Sequence, residues 1–334
     1  MQDLTMNSKA LVAKYKKIFI VALICLISGF VGGVFVGRAR GIPFMERQAE
    51  WSIGIYNGES PFDFTPAQNI NNPVLTAQKV TDVPAEFVAD PFMVEENSKW
   101  YMFFEVMNKN NSKGSIGLAT SDDGYHWTYK QIVLKEPFHL SYPYVFKFQN
   151  EYYMVPESHE SYSIRLYKAV DFPTRWTFVK TLVYGNFSDP SIIRYGDKWW
   201  LFVGNAGGND MLNLYYADEL TGPWKEHPGN PVIKGDKHTT RPGGRILVLD
   251  NKIIRYVQDD ALTYGGAVRA FEVTELTTTG FKQNEVRNNP ILEGSGKGWN
   301  AERMHNLDPH QIDKNKWIAC VDGYRRFLVF GLKY

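Results

Sequence analysis

From Ala89 to Gln311 the hydrophobic positions fall into short runs bounded by turn-forming residues, and the runs return in the same order. Each unit opens with a small or polar lead-in, one further residue, a proline and then an apolar run. The five openings are Ala89-Asp90-Pro91-Phe92, Ser141-Tyr142-Pro143-Tyr144, Ser188-Asp189-Pro190-Ser191, Thr240-Arg241-Pro242-Gly243 and Leu307-Asp308-Pro309-His310. A turn then leads into a second apolar run: 99–105 (KWYMFFE), 151–157 (EYYMVPE), 198–204 (KWWLFVG), 252–258 (KIIRYVQ) and 316–322 (KWIACVD). A third run follows at 115–120, 163–168, 212–217 and 266–271, and Trp127, Trp176, Trp224 or Phe281 opens a fourth. Two apolar runs of about five residues around an Asn, Asp or Gly turn predict a β-hairpin. Pro91, Pro143, Pro190, Pro242 and Pro309 recur at intervals of 52, 47, 52 and 67 residues, and a period of this size marks a repeat architecture. Four-stranded units repeated about an axis predict an all-β, five-bladed β-propeller, which protects most strand edges. A two-sheet sandwich would have no need of the period.

The ring is expected to close through the N-terminal segment. Residues 51–56 (WSIGIY) copy the third-strand pattern of 115–120, and Phe62-Asp63-Phe64 with Pro73-Val74-Leu75 resemble the outer strand that follows. The run 327–332 (FLVFGL) competes for a strand position in the same blade, and the pattern does not say which segment lies innermost.

Ahead of the repeats, residues 18–37 are uncharged and largely apolar, long enough to span a hydrocarbon core as a helix. Lys9, Lys14, Lys16 and Lys17 precede this run and Arg38, Arg40 and Arg47 follow it. The lysines crowd the N-terminal end, so the positive-inside rule predicts a cytoplasmic N-terminus and an extracytoplasmic propeller. The run lacks an Ala-x-Ala cleavage site and exceeds an ordinary signal-peptide core, which predicts an uncleaved signal-anchor. The expected organisation is a cytoplasmic segment 1–17, a transmembrane helix 18–37, a linker 38–50 and a propeller 51–334. Gly29, Gly33 and Gly37 form a tandem GxxxG ridge that is compatible with a homodimer.

Composition agrees: 15% aromatic residues, 28 glycines and 17 prolines suit many strands joined by tight turns. With a net charge of +1, nothing argues for nucleic-acid binding by bulk electrostatics. Cys25 and Cys320 form no disulfide framework if Cys25 lies in a membrane.

Five equivalent strand starts on a ring would gather Asp90, Tyr142, Asp189, Arg241 and Asp308 at one mouth. Asp90 and Asp189 are two carboxylates two blades apart, and glycosidic cleavage needs two carboxyl groups on opposite sides of the bond. Glu105, Glu157, Asn205, Asp259 and Asp322 end the second strands and are candidates for the same cavity. Arg241 and Arg245 suit an anionic substrate group or an ion pair with these aspartates. An Asp before Pro also stabilises turns, so a purely structural role for Asp90 and Asp189 stays open. No cofactor or catalytic metal is expected. His305, Asp308 and His310 leave room only for a structural cation in the central channel, a weak signal without a ligand frame.

Ala89-Asp90-Pro91 with its Lys-Trp-Tyr hairpin, and 188–193 (SDPSII) with 196–200 (GDKWW), resemble the first and third blades of family-43 glycoside hydrolases. The resemblance implies Asp90 as general base and Asp189 as the residue that tunes the acid. The family's acid is a Glu two residues before the fourth-blade proline; Thr240 stands there. Glu157 or Asp259 would have to replace it. The stretch 89–275 is more specifically similar to the N-terminal domain of plant-type glucosamine inositolphosphorylceramide transferases, through 139–146 (HLSYPYVF), Pro156-Glu157-Ser158, 165–173 (RLYKAVDFP), Gly243-Gly244-Arg245 and Gln258-Asp259. That resemblance implies the fold and a link to glycan or glycolipid metabolism. Sugar transfer in that family is assigned to a separate C-terminal domain and is not expected of these residues. Two functions follow: a carbohydrate-active enzyme, with Tyr142, Arg241, Arg245, Asp308 and His310 binding substrate, or a membrane-tethered glycan-binding module that assists a partner glycosyltransferase, synthase or exporter of envelope polysaccharide.

Overall fold

The computed structural model describes residues 13, 15–29, 45–68 and 70–330. Among them the strands form five sheets. The chain begins with β1 (Met45–Ser60) and β2 (Asp63–Pro66). The first complete blade is β3 (Ala85–Glu96), β4 (Lys99–Asn108), β5 (Lys113–Ser121) and β6 (Thr128–Leu134), and the second is β7 (Ser141–Phe148), β8 (Glu151–Glu157), β9 (Ser163–Asp171) and β10 (Arg175–Tyr184). In the third, β11 (Phe187–Tyr195), β12 (Lys198–Asn205), β13 (Met211–Ala217) and β14 (Lys225–Glu226) pair in order, and β15 (Ile233–Lys234) also joins β13. The fourth pairs β16 (Leu247–Leu249), β17 (Lys252–Asp259), β18 (Ala267–Leu276) and β19 (Phe281–Glu285), with β20 (Leu292–Glu293) on β18. β21 (Leu307–Asp313) and β22 (Lys316–Phe330) complete the fifth with the N-terminal pair, in the order β2-β1-β22-β21. This is a five-bladed propeller. Residues 327–330 prolong β22, so they take no separate place in the blade.

The strands carrying the X-Pro openings line the axis: β3 packs on β7, β7 on β11 and β21 on β3. The second strands are buried on both faces, which is why KWYMFFE and KWWLFVG read as runs rather than alternations. The core lies between blades. Phe92, Tyr144, Val155 and Leu201 join the first three; Ile53, Phe104 and Cys320 join the fifth to the first.

The five openings are not equivalent. In the first three blades a bulge shifts the register between Ala89 and Phe92, Ser141 and Tyr144, and Ser188 and Ser191. It leaves Asp90, Tyr142 and Asp189 in the left-handed region, with φ of 52°, 45° and 48°. In the fifth blade Leu307, Asp308 and Pro309 pair regularly with Val321, Cys320 and Ala319, so Asp308 is not the counterpart that the repeat suggested. The fourth opening leaves its own sheet. Pro242 bridges Val257, then Gly244 bridges Leu307 in parallel, before the chain returns to β16.

The chain divides into two compact units, 50–325 and 1–49 with 326–334. In the smaller unit residues 15–29 are helical. Among the described residues no helix is long and apolar enough to cross a membrane. Residues 30–37 of the expected span lie outside the described residues.

Gly244 has φ +145°, and a Cβ there would overlap the Leu307 carbonyl. Gly244→Ala is expected to destabilise the propeller by about 3 kcal/mol. Gly207→Ala, at φ +87° in open space, should cost about 1 kcal/mol for its backbone alone. Urea titration of both variants checks this, and equal losses would refute the role of the parallel bridge.

Candidate functional site

At the mouth, each left-handed residue points its backbone amide at a carboxylate. Asp90 N donates to Asp322 Oδ2 at 3.0 Å, Tyr142 N to Asp90 Oδ2 at 3.3 Å, and Asp189 N to Glu157 Oε2 at 2.9 Å. In every case the acceptor comes from the preceding blade. The ring therefore draws Asp90, Glu157, Asp189 and Asp322 into one buried cluster, with Glu105 beside them.

Cations are interleaved with these acids. Arg241 Nε donates to Asp189 Oδ2 at 2.5 Å, and its Nη2 lies 3.8 Å from Glu157. Gln258 Nε2 reaches the same Asp189 oxygen at 2.6 Å. Burial works against the Arg241 charge, but Asp189 and Glu157 outweigh it and hold its pKa well above the ordinary arginine value. His305 sits between two carboxylates, with Nδ1 2.8 Å from Asp322 and Nε2 3.4 Å from Asp90. Burial opposes its charge, but Asp322 and Asp90 raise its pKa to about 9. Burial would also raise Glu157, yet the His159 bond and the Arg241 charge lower it to about 2.

Five carboxyls thus share the space with Arg241, His305 and His159, and protons relieve the excess. Burial, with the charges of Asp90 and Glu157, pushes Glu105 well up. Burial raises Asp90 to about 6, although His305 pulls the other way.

Aromatic rings roof the cluster. Trp51 stacks on His305 with centroids 4.1 Å apart, Tyr264 meets Trp51 edge-on, and Arg241 lies 5.0 Å over Tyr264. The repeat marks Trp51 only as a strand residue and leaves Tyr264 in a loop outside its pattern, so neither is legible as a site residue in the sequence. The sequence pattern offers His305 only as a weak cation ligand beside Asp308, because the long 67-residue interval hides its place in the ring.

Other expected site residues lie elsewhere. Tyr142 is fully buried, and its hydroxyl accepts from Gly244 N at 2.7 Å and meets Gly244 O at 3.0 Å and Ser191 Oγ at 2.9 Å. It struts the channel, with its hydroxyl committed to Gly244 and Ser191. Asp308 and Arg245 lie one layer deeper. Arg245 pairs with Asp308 through Nε and donates to Val145 O at 3.0 Å and Met93 O at 3.1 Å, while Met93 N donates to Asp308 at 2.6 Å. Burial would raise Asp308, but the Arg245 and His310 charges hold it below the usual carboxylate range. His310 Nε2 bonds Asp308 at 2.9 Å, and its ring meets Trp100 edge-on. Asp259 pairs with His238 at 2.9 Å and Arg269 at 3.2 Å, apart from the central network. Asn205 bonds its own loop through Asp210.

Asp90, His305 and Asp322 bring ligand atoms within 4.8 Å of one another. His305 faces Asp322 through Nδ1 and Asp90 through Nε2 in this group. The buried Ser188 Oγ, Gln258 Oε1 and Asn306 Oδ1 lack hydrogen-bond partners among the described residues, which leaves unmet hydrogen-bonding capacity close to the cluster.

The family described as glucosamine inositolphosphorylceramide transferase 1, N-terminal, matches residues 44–324. The chain belongs to this family. The glucosamine inositolphosphorylceramide transferase 1 of Oryza sativa subsp. japonica is 36% identical over 302 residues, covering 83% of this chain and 40% of the relative. That of Arabidopsis thaliana is 34% identical over 305 residues, covering 84% and 40%. The chain therefore spans about two fifths of these relatives' length. Among solved structures, the α-L-arabinanase of Cellvibrio cellulosa aligns at TM-score 0.53 with 16% identity, over 73% of this chain and 93% of that one. The exo-β-1,3-galactanase 1,3Gal43A of Clostridium thermocellum aligns at 0.51 with 12% identity, over 63% and 51%. At such identities the family shares its propeller fold with these enzymes.

The raised His305 pKa sets a pH dependence. A cationic group held at about 9 when folded, against 6.5 when free, stabilises fully below the free value and loses that stability as pH rises through about 9. Asp90, raised to about 6, loses its contribution earlier, between about pH 4 and 6. Between pH 6.5 and 9.5 the melting temperature is expected to fall, and His305→Gln should flatten that fall. An unchanged slope in the variant would mean that another group titrates there.

Proposed function

We propose that the propeller is a membrane-tethered carbohydrate-recognition domain that binds the sugar head of a glycan or glycolipid at its mouth without cleaving it. Family membership supports the ligand class, since the relatives are named for glucosamine and inositolphosphorylceramide. One observation carries the non-hydrolytic reading: the mouth carboxylates are committed to partners. Asp189 and Glu157 serve Arg241 and a backbone amide, and Asp90 serves Tyr142 N and His305. Glycosidic cleavage needs a free acid and base facing each other across the bond. At the position implied for the acid, Thr240 is fully buried and turns its hydroxyl to Asn209 O and Asp236 O. The tether is residues 18–37, with the N-terminus cytoplasmic and the propeller outside.

A second reading, glycosyl hydrolysis or transfer with Asp90 as base, is favoured by one feature. Asp90 combines a strained φ of 52° with a carboxyl raised to about 6, and such strain gathers at active sites. In that case Glu157 or Asp259 would act as acid, although Glu157 is ionised beside Arg241 and Asp259 stands apart.

Asp90→Asn separates the two. Under recognition, titration calorimetry with soluble glycosylated inositol phosphates should detect binding by the unmodified chain and a modest change in the variant. Neither should release product. Turnover by the unmodified chain that the variant loses by about 10²–10⁴-fold would establish the enzyme instead.

A further inference from the structure

The most exposed large apolar side chains described on the propeller are Leu262, Tyr184 and Tyr162, at 100%, 76% and 64%. All three lie at the mouth end. Tyr162 follows Glu157 in the turn out of β8, its carbonyl accepts from Gly185 N at 3.1 Å, and Tyr184 pairs with Ser163. Leu262 tips the loop between β17 and β18, whose Tyr264 roofs Arg241 and His305. The three therefore stand on two non-adjacent blades around one opening.

The chain is also attached at this end. β1 enters the propeller at Glu50 and Trp51, and Trp51 stacks on His305 at the mouth. It then runs away from the mouth toward its turn with β2 at Ser60 and Asp63. Only residues 38–49 separate that entry from the apolar run 18–37, a reach of roughly 40 Å even when fully extended. A tether attached there lets a span at 18–37 bring the mouth end to the membrane surface. Leucine and tyrosine are suited to that boundary, because Leu enters the acyl region and Tyr keeps its hydroxyl among headgroups.

We propose that the mouth end is a bilayer-docking face, with Leu262, Tyr184 and Tyr162 entering the lipid headgroup region. A glycolipid head then reaches the mouth while its tails stay in the membrane. The proposal rests on the reading of 18–37 as a membrane span.

The test uses the full chain carrying Cys25→Ser, since Cys320 is buried and shielded from labelling. Leu262→Cys, Tyr184→Cys and Lys314→Cys are each labelled with an environment-sensitive nitrobenzoxadiazole probe. Lys314 lies in the β21–β22 turn, at the opposite end. The labelled chains are reconstituted into phosphatidylcholine vesicles with and without doxyl-labelled phosphatidylcholine. Probes at 262 and 184 should shift to the blue and lose fluorescence to the doxyl lipid, whereas the probe at 314 should do neither. If the chain resists alkaline extraction but all three probes stay unquenched, docking is wrong and the anchor stands. A chain released by alkali has no span, and the docking proposal falls with it. A probe at 262 that is equally shielded in detergent solution points to a second copy of the chain and overturns lipid as the occupant.

Discussion

Three backbone amides in left-handed residues must find acceptors near the dry centre of the ring, and much of the mouth follows from that need. An unpaired buried amide costs about 1–3 kcal/mol, so Asp90, Tyr142 and Asp189 each require an oxygen from the neighbouring blade. Asp322, Asp90 and Glu157 supply one each. A neutral acceptor would satisfy the amide alone. A carboxylate makes the stronger charge-assisted bond but brings a buried charge that must itself be matched. Arg241 and His305 are that match.

This chain of requirements changes the meaning of an acidic propeller mouth. Acids grouped around an axis suggest hydrolysis when considered one by one. Considered with their partners, they form a network in which Asp90, Glu157 and Asp322 are engaged through both oxygens, and such networks rigidify the arrangement they join. Removing one member strands another. Asp90 joins both sides of the ring, through Tyr142 N on one hand and His305 on the other, so it is the residue in which structural and chemical roles are hardest to separate.

A second tier lies below. Arg245 ties Asp308 to the carbonyls of Val145 and Met93, and Tyr142 ties Gly244 to Ser191. These contacts lace the fourth and fifth blades to the first three at the point where the fourth opening departs from its sheet. Below the mouth, the channel is thereby lined with paired side chains.

The repeat of X-Pro openings, hairpin turns and apolar runs was enough to read five four-stranded units, and the likeness of WSIGIY to SIGLAT was enough to read closure through the N-terminal segment. These are local signals, because strand and turn propensities act over a few neighbouring residues. The same signals could not distinguish the openings from one another. Asp90 and Asp308 share the Asp-Pro pair, yet a bulge turns the first into the mouth and a regular ladder sends the second down to Arg245. They also could not reveal that Asp259 would turn aside to His238 and Arg269, that Tyr142 would spend its hydroxyl on Gly244, or that His305 would stand between Asp90 and Asp322. A buried charge is defined by its partner, and here the partners lie up to 232 residues apart along the chain. Only the closed ring brings them together, so the tertiary structure alone decided which acids are free and which are held.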